Sequence, residues 1–280
     1  RLKELFLELL SQLKRERAMN TTEQFRALTT ILYKEIHRFM RIWMQTLIPP
    51  AIMIMLYFVI FGTLIGKRIG QMGGFDYVQF MIPGLIMMSV ISNSYSNVVS
   101  SFFGQKFSRS IEELLITPLP HYLILLGWVL GGVARGLVVG AIVTFVSLWF
   151  YDLTVDNWPL CIFVVISTSV LFSLGGFLNA LFAESFDDIS IIPTFIMQPL
   201  IYLGGVFYSI QLLPSFWQTI SLANPILYMI NAFRFSILGS SDLEALGFSI
   251  YSALGMIVFF IVLFASICLW LLNKGRGIRT

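Results

Sequence analysis

The chain has 280 residues, of which 57% are hydrophobic and only 12% are charged. Soluble domains carry about 25% charged residues, so this composition excludes a soluble globular domain and indicates an integral membrane protein. The formal net charge of +3 is small and gives no support to a nucleic-acid-binding surface. Both cysteines lie in apolar runs, and they give no support to a disulfide framework or a metal site.

The first predicted element is an amphipathic helix over 25–43, within a cytoplasmic or interfacial segment 19–42. Apolar residues recur there at steps of three and four, and a basic face lies apart from them. This pattern is typical of a helix in the headgroup layer, and the alternative is a cytosolic extension of the first membrane span. The apolar positions are Phe25, Leu28, Leu32, Ile36, Phe39 and Trp43, and the basic ones are Lys34, Arg38 and Arg41.

Six apolar stretches are each long enough to cross the hydrocarbon core, which is about 30 Å thick and takes roughly 20 helical residues. Pro49-Pro50 lies early in the first stretch and predicts a bend where the chain enters the bilayer. Pro193 and Pro199 predict a kink in the fifth stretch. The predicted spans are 43–66, 77–103, 122–150, 158–183, 189–208 and 249–272.

The distribution of Lys and Arg predicts that both termini are cytoplasmic, which agrees with an even number of spans. Fourteen of the 18 basic residues fall on one side of the six spans, three fall on the other side, and one lies within a span. The fourteen are Arg1, Lys3, Lys14, Arg15, Arg17, Arg26, Lys34, Arg38, Arg41, Lys106, Arg109, Lys274, Arg276 and Arg279; the three are Lys67, Arg68 and Arg234.

The longest polar loop on the basic side, 106–121, predicts a short helix. Ser108 or Ser110 is the predicted cap, Glu112-Glu113 occupies the first turn, and Thr117-Pro118 ends the helix. A simple connection between two spans needs only a few residues, so a helix here indicates a docking surface. The alternative is a merely solvated loop.

The segment 209–248 is too long and too apolar for a plain loop. Pro214 and Asn224-Pro225 break it. Two short half-helices that dip into the outer leaflet would satisfy their own backbone and cover this apolar surface. The alternative is a seventh span near 216–238, but that would place the basic C-terminus outside, against the charge distribution.

Arg135 is the one basic residue placed deep within a predicted span. Charges inside a membrane usually face a bundle interior and find a partner. We expect Arg135 to pair with Glu184, Asp187 or Asp188 of the short loop after the fourth span, or to snorkel to the headgroups. A direct role of Arg135 in transport is the weaker alternative.

Glycines recur at four-residue spacing in the third span, on two faces. Gly127 and Gly131 form one set, and Gly132, Gly136 and Gly140 form the other. Small residues at this spacing allow helices to approach closely, so the third span is predicted to be tightly packed.

The sequence predicts no catalytic, cofactor-binding or metal site. Gly66-Lys67 is not part of a phosphate-binding loop, because Phe61 stands where the first loop glycine is needed. Asp187-Asp188 is a weak metal pair and is better explained as a helix cap before the fifth span. The two histidines, His37 and His121, are best explained as interfacial anchors.

Eight segments together resemble a known family. The chain resembles the ABC-2 type membrane subunits of ATP-driven exporters, most closely the YadH-like permeases of bacterial inner membranes, over nearly all of 30–280. The segments are KEIHRFMRIW at 34–43, PGLIMMS at 83–89, IEELL at 111–115 with TP at 117–118, GGVARG at 131–136, FDDIS at 186–190, GGVFYS at 204–209, LPSFW at 213–217 and NPILYMI at 224–230.

The resemblance implies an all-α membrane protein with six transmembrane helices, an N-terminal interfacial helix, a cytoplasmic coupling helix and re-entrant helices on the outer side. It implies that two copies pair in the bilayer and that separate, YadG-like ABC ATPase subunits dock beneath them. ATP would be used by those partners, and this chain would bind no cofactor. The implied ATPase-coupling residues are Lys106, Arg109, Glu112 and Glu113, and the implied re-entrant residues are Pro214, Trp217, Asn224 and Pro225.

Residues 1–18 do not belong to this pattern and resemble instead the C-terminal tail of the partner ATPase, with Met19 as the ordinary start of the permease. The hypothesis is a truncated read-through or fused pair, or an artefact of sequence assembly, and the alternative is a natural amphipathic extension. A stop codon between Ala18 and Met19 in the genomic DNA would exclude the fusion. The implied division is 1–18 ATPase-like tail, 19–42 interfacial helix, 43–273 transmembrane domain and 274–280 cytoplasmic tail.

Two other classes of function fit this sequence less well than an exporter subunit. A secondary transporter that works alone would need inverted repeats and several ionisable residues at mid-membrane, and only Arg135 qualifies. A membrane-embedded lipid-modifying enzyme would need paired carboxylates, a Ser/His dyad or metal ligands within the spans. The sequence therefore favours an exporter subunit that is driven by ATP hydrolysis in a partner chain.

Overall fold

The computed structural model describes residues 19–275, and most of these residues are helical. The expectations for 1–18 and for the basic tail 276–280 therefore lie outside the described residues. In chain order the elements are α1 Thr21–Arg41, α2 Trp43–Thr46, α3 Ile48–Tyr57, a π-helical segment Phe58–Ile65, α4 Gly66–Ile69, an antiparallel hairpin of β1 Gln71–Met72 and β2 Phe75–Asp76, α5 Tyr77–Phe107, α6 Ser110–Ile116, α7 His121–Phe150, α8 Trp158–Phe182, α9 Asp188–Ile191, a second π-helical segment Ile192–Met197, α10 Gln198–Leu203, a 3-10 turn Ile210–Leu212, α11 Ser215–Leu222, α12 Pro225–Leu238, α13 Asp242–Ala245 and α14 Ile250–Lys274.

Within 19–275, four helices are both long and apolar enough to cross a membrane. They coincide with the first, third, fourth and sixth predicted spans. Helix α5 coincides with the second predicted span and is long enough, with 31 residues, although its serines and asparagines lower its mean hydropathy. Helix Asp188–Leu203 is apolar but shorter than the predicted fifth span. The four are Trp43–Gly62, His121–Phe150, Trp158–Phe182 and Ile250–Lys274.

Helix α5 is the centre of the bundle. Most of its residues are buried, and it packs against α7, α8 and α12. Its polar side chains are buried with it, and several bond to the helix backbone: Ser89 Oγ donates to Leu85 O at 3.0 Å, and Asn93 Nδ2 donates to Ser89 O at 3.0 Å. A polar helix can occupy the middle of a membrane protein because its partners, not lipid, surround it.

The two glycine faces of α7 pack closely against neighbouring helices, as the glycine spacing predicted. A Cβ added at Gly131 would lie 2.6 Å from Cβ of Glu35 on α1. A Cβ added at Gly136 would collide with Ser94 Oγ of α5. One glycine face therefore packs against α1, and the other packs against the central helix α5.

Helix α1 begins earlier than the apolar pattern indicated. Asn20 caps it, and Glu23 completes a reciprocal capping box, so the helix covers Thr21–Arg41 rather than 25–43. Its buried face is Ile31, Glu35 and Phe39, while Phe25 is 66% exposed. The helix therefore lies against the bundle with one face and keeps apolar side chains on its outer flank.

The first and fifth predicted spans, whose prolines predicted a bend and a kink, are both interrupted. The first is divided at Leu47, and Pro49-Pro50 occupies the first turn of α3. In the fifth, Pro193 lies in a π-helical segment and Pro199 in the first turn of α10. Because proline removes a backbone donor, the regular hydrogen-bond ladder cannot run through these positions.

The segment 209–248 contains separate short helices with breaks at the predicted residues. Helix α11 begins directly after Pro214, and α12 begins after Asn224, whose side chain accepts from the Ile226 backbone. A continuous seventh span over 216–238 is therefore wrong, because α11 ends at Leu222 and the chain turns before α12 begins.

Two ends of the bundle can be distinguished. At the end called here the basic end, α5 ends, α7 begins and α14 ends; His121 Nδ1 lies 2.8 Å from Asn273 Oδ1 there. At the opposite end, Tyr151 Oη donates to Gln79 Oε1 at 3.2 Å beside the β1–β2 hairpin. Helix α6 lies at the basic end.

Candidate coupling surface and polar networks

Helix α6 follows α5 after a sharp turn. Arg109 makes that turn with a left-handed backbone (φ 59°), a conformation that residues other than glycine rarely adopt. The predicted cap at Ser108 or Ser110 is wrong: Arg109 occupies the N-cap position, and the two serine hydroxyls instead lie 3.0 Å from each other. The helix ends at Ile116, and its C-cap Thr117 is followed by Pro118, as predicted. Strain of this kind at an exposed turn is frequent at functional sites.

One side of α6 is buried and the other is exposed. Ile111 is buried and anchors the helix to the bundle, while Arg109 and Glu113 are exposed to solvent. Glu112 lies beside Glu113 in the same short helix. The anchored helix thus presents charged residues at the surface of the basic end.

Lys106, a predicted coupling residue, holds α5 to the end of α8. Its Nζ donates to Leu181 O at 2.7 Å and to Ala183 O at 2.9 Å. Carbonyls in the last turn of a helix lack partners within the helix, so this ammonium group caps α8. Burial lowers the pKa of Lys106, and the nearby Glu184 opposes that change. The residue therefore has a positioning role behind the α6 surface.

A groove of about 660 Å³ separates α1 from α6. Ala27 and Ile31 of α1 form one wall, and Leu114 and Leu119 lie across from them. The two elements that the sequence singled out separately thus form one concave surface at the basic end. The remaining lining residues are Met19, Glu23, Thr30, Thr117 and Pro118.

An aromatic cluster lies beside this surface. The ring of Phe186 is 5.0 Å from those of Phe103 and Phe107, measured between centroids. Phe107 is 64% exposed and Phe186 is 55% exposed. Exposed aromatic side chains at a rim are typical of interaction surfaces.

Asp188 closes the loop after α8 with hydrogen bonds to the backbone. Its Oδ2 accepts from Glu184 N at 2.9 Å and Ser185 N at 2.8 Å, and Ser185 Oγ accepts from Asp188 N at 3.2 Å. This is a reciprocal capping box, and its N–H donors lower the pKa of Asp188. Asp188 thus takes part in capping bonds just before the predicted fifth span, but Asp187, the N-cap residue of α9, makes no side-chain cap bond. Among residues 19–275, no group of three or more His, Cys, Asp and Glu side chains is arranged to hold a metal ion.

A polar network joins α1 to α5. Arg38 Nη2 donates to Asn97 O at 2.9 Å and to Asn97 Oδ1 at 2.8 Å. Ser101 Oγ donates to Glu35 Oε1 at 2.6 Å, and Arg38 lies 3.4 Å from Glu35 Oε2. Glu35 is fully buried, so α1 is attached to the central helix by charged hydrogen bonds away from water.

Arg135 lies close to this network. Its Nη2 donates to Asn93 Oδ1 at 3.0 Å, and it is near enough to Arg38 for the two charges to repel. The expected pairing with Glu184, Asp187 or Asp188 is wrong. Arg135 lies about 14 residues into α7, or roughly 21 Å from the basic end, which is beyond the reach of its side chain.

At the opposite end, Arg234 and Asp242 form a buried ion pair. Arg234 Nη1 lies 3.6 Å from Asp242 Oδ2, and the two side chains are 1% and 4% exposed. Arg234 Nη2 also donates to Gly205 O at 2.7 Å, and its guanidinium lies 3.8 Å from the centre of the Phe80 ring. Ser209 Oγ donates to Asp242 Oδ1 at 2.7 Å. The pair ties α12, α13, α5 and the turn after α10 together.

The predicted re-entrant residues lie at element boundaries in the same region. Asn224 Nδ2 donates to Leu200 O at 2.6 Å and its Oδ1 caps α12, while Pro225 is the first residue of that helix. Pro214 precedes α11, in which Trp217 is 46% exposed. Asn224 therefore connects the α11–α12 turn to α10.

A family model described as "ABC-2 type transporter" matches residues 26–238. The chain belongs to the ABC-2 type transporter family. It is 57% identical over 254 residues to Inner membrane transport permease YadH of Escherichia coli (strain K12). This alignment covers 91% of this chain and 97% of that protein. The protein of the same name from Shigella flexneri matches equally well. Nodulation protein J of Sinorhizobium fredii (strain NBRC 101917 / NGR234) is 24% identical over 174 residues, or 61% of this chain and 65% of that protein.

Two sites in this ABC-2 type permease escaped the sequence analysis. Glu35 was assigned to neither face of the predicted helix, and Arg234 was counted as an exterior charge, yet both are buried. The signal that could have found Arg234 is its position within an apolar run, since a charge in such a run usually has a buried partner. Glu35 gives a weaker signal, because polar residues surround it in the sequence.

Proposed function

We propose that this chain is the membrane-spanning subunit of an ATP-driven exporter in the bacterial inner membrane. Two copies form the translocation path, and separate YadG-like ABC ATPase subunits bind and hydrolyse ATP. Family membership supports a transport permease, and the name of the Escherichia coli relative supports the membrane. ABC-2 membrane subunits depend on an ABC ATPase, which is the partner class expected here.

The proposal includes a topology of six crossings with both termini in the cytoplasm. Helix α5 is the second crossing, residues 189–203 form the fifth, and α11 and α12 are the re-entrant helices of the outer side. The excess of Lys and Arg at the basic end supports this orientation. The proposed division of the chain is 1–18 ATPase-like tail, 19–42 interfacial helix, 43–273 transmembrane domain and 274–280 cytoplasmic tail.

The observation that carries the proposal is the groove between α1 and α6. It is concave, combines apolar walls with the exposed charge of Glu23, and lies at the end assigned to the cytoplasm, where Glu113 is exposed on the same helix as Leu114. A docked ATPase would contact α6 at Arg109, Glu112 and Glu113.

The hydrogen bonds behind the groove would transmit movement from the docking surface to the membrane helices. Lys106 connects the α5 end of this surface to α8, and Arg38 connects α1 to α5. When the ATPase pair closes on ATP, pressure on α1 and α6 would reach α5 and α8 directly. A path between two copies of the chain would open as these helices move together.

The test is the double variant Glu112→Lys with Glu113→Lys, co-expressed with a YadG-like ABC ATPase that supports the unchanged permease. The variant should insert in the membrane but lose co-purification with the ATPase or lose permease-stimulated ATP hydrolysis. The control is Glu244→Lys, which makes one Glu-to-Lys replacement at an exposed residue of the opposite end. Normal ATPase coupling in the double variant would remove α6 from the proposed mechanism.

The same preparation separates an exporter subunit from the two alternative functions. Solute accumulation driven by an ion gradient, in liposomes without any ATPase, would indicate a stand-alone secondary transporter. Covalent conversion of a lipid by the purified chain alone would indicate an embedded enzyme. Neither activity is expected without ATP and the partner.

A further inference from the structure

Two arginines from different helices, Arg38 of α1 and Arg135 of α7, meet at the central helix. Arg38 Nη2 donates to Asn97 Oδ1 at 2.8 Å, and Arg135 Nη2 donates to Asn93 Oδ1 at 3.0 Å. The two asparagines are about one turn apart on α5, or roughly 6 Å along its axis. The two guanidinium groups are therefore close enough for their charges to repel.

The positive charge of this arginine pair is not balanced by the chain itself. Glu35 lies 3.4 Å from Arg38, and among residues 19–275 it is the one carboxylate in contact with either arginine. It also accepts a hydrogen bond from Ser101 Oγ and is fully buried. Two positive charges therefore face one negative charge, and an ionisable group at membrane depth without a full complement of partners is a candidate ligand site.

A second copy of the chain would not supply the missing negative charge. Two copies that pair about an axis along the membrane normal place the same residues at the same depth. Arg135 lies near the midpoint of α7, which has 30 residues. Apart from Glu35, the acidic residues within 19–275 lie near one of the two ends of the bundle. The missing charge therefore has to come from another molecule.

The arginine pair can be reached from outside the chain. The Arg38 side chain is 27% exposed, and Arg135 is also partly exposed. The hydrogen bonds to the two asparagines use only Nη2 of each guanidinium. Because a guanidinium has five N–H donors in a planar arrangement that fits carboxylate and phosphate oxygens, both arginines keep donors for an anion.

A polar stripe on α5 passes beside the pair. Its residues follow one another at steps of three and four, so they share one face of the helix. Ser96 is partly exposed and Ser100 is exposed, although most of α5 is buried. Polar groups at the surface of a membrane helix are a poor match for lipid tails, and they suit a polar ligand that moves between the basic end and the pair. The stripe consists of Ser89, Asn93, Ser96 and Ser100.

We propose that Arg38 and Arg135 together bind an anionic group of the exported molecule, a carboxylate or a phosphate monoester. This assignment rests on the export function proposed above. Head groups of resident lipids lie at the two faces of the hydrocarbon core, about 15 Å from its centre, whereas Arg135 lies near the midpoint of its helix. Movement of α1 against α7 would separate the two arginines and release the anion.

The test measures binding of tritiated dodecyl phosphate to the full chain in phosphatidylcholine nanodiscs at mildly alkaline pH, without ATPase or ATP. Empty nanodiscs report the partition into lipid, and binding above that level should saturate. Dodecanoate should displace the probe. Dodecanol has the same chain length and no charge, so it should compete roughly ten- to a hundredfold less well, the range for hydrogen bonds of a charged group. Equal competition by dodecanol would overturn the proposal.

Inorganic phosphate distinguishes two sources of the anionic group. Displacement of the probe by millimolar inorganic phosphate would indicate a water-soluble cargo, whereas no displacement would indicate an amphiphile whose alkyl chain adds apolar contacts. Both outcomes support the arginine site, provided that the binding depends on Arg135.

Three variants establish that dependence. Arg135→Gln removes the charge but keeps a donor for Asn93, so the fold should persist and binding should weaken roughly ten- to a hundredfold. Arg135→Lys keeps the charge and should retain part of the affinity. Arg41→Gln makes the same change as Arg135→Gln at an exposed residue of α1, and it should bind normally. Unchanged binding by Arg135→Gln contradicts the site.

The binding result is separate from the proposed export function because no ATPase is present. Normal binding by the unchanged protein, with no ATP-driven transport when the ATPase is added, would reject the export function alone. Transport by Arg135→Gln at the unchanged rate would reject the anion site alone.

Discussion

The guanidinium of Arg234 and the carboxylate of Asp242 lie 3.6 Å apart at a point where four parts of the chain meet. Both side chains are almost fully buried. Taking two charges out of water is costly, so such a pair is stable only with further hydrogen bonds, which Gly205 O and Ser209 Oγ supply. The pair therefore fixes the positions of α12 and α13 against the central helix.

The first prediction concerns removal of one charge of this pair. Asp242→Asn should destabilise the protein by about 3–5 kcal/mol, because it leaves the Arg234 charge buried and unpaired. Glu244→Gln removes a charge two residues away that is exposed, and it should change stability by less than about 0.5 kcal/mol. Thermal unfolding in detergent, followed by tryptophan fluorescence, measures both. Equal melting temperatures for the two variants would mean that the ion pair contributes no stability.

The second prediction concerns the attachment of α1 to α5. Arg38→Gln removes the two bonds to Asn97 and should weaken this contact by about 1.5–3 kcal/mol, the range for hydrogen bonds of a charged group. We expect ATPase binding to persist while transport per ATP hydrolysed falls. The measurement is the ratio of the two rates in proteoliposomes.

Arg41→Gln is the matched control, because it makes the same change on the same helix at an exposed residue. A fall in ATPase binding for Arg38→Gln, with the transport ratio intact, would place Arg38 in docking rather than in the transfer of force.

The third prediction concerns acid. Hydrogen bonds from two backbone N–H groups hold the pKa of Asp188 below its usual range near 3.9. A carboxyl with a lowered folded-state pKa stabilises the fold above its unfolded pKa, and this contribution is lost as the pH falls through the folded value. Asp188→Asn should therefore speed amide exchange in the 183–187 loop at neutral pH. Below about pH 4, the difference in exchange rate between this variant and the unchanged protein should shrink.

Asp187→Asn is the control for this experiment, since the Asp187 side chain makes no capping bond in the described structure. Hydrogen exchange by mass spectrometry resolves the loop. If the two variants exchange alike at every pH, the capping box does not hold the loop.

Features encoded locally could be predicted from the sequence. Hydropathy located the four apolar helices, and Pro214 and Asn224 marked helix boundaries, because proline and a capping side chain act on their own neighbours. The partners of Arg135 and Arg234 could not be predicted. Asn93 and Asp242 become neighbours of these arginines only once α5, α7 and α12 have packed, and composition alone does not tell which helix faces place the side chains together.

The fourth prediction uses two glycines that receive the same substitution. Gly131→Ala places a Cβ 2.6 Å from Cβ of Glu35, where neither helix backbone can give way freely, so overpacking should cost about 1–3 kcal/mol. Gly255→Ala on α14 meets no atom within 4 Å, and alanine favours a helix over glycine by about 1 kcal/mol, so this variant should be unchanged or more stable. Comparison of the two melting temperatures removes the shared effect of alanine on helix propensity, so the remaining difference reports on the contact between α1 and α7.

Because the ATPase surface is proposed to include α1, Gly131→Ala should also lower permease-stimulated ATP hydrolysis, and Gly255→Ala should not. If Gly131→Ala were as stable as Gly255→Ala, α1 would lie farther from α7 than the structure places it, and the polar network of Glu35 and Arg38 would lose its geometric basis.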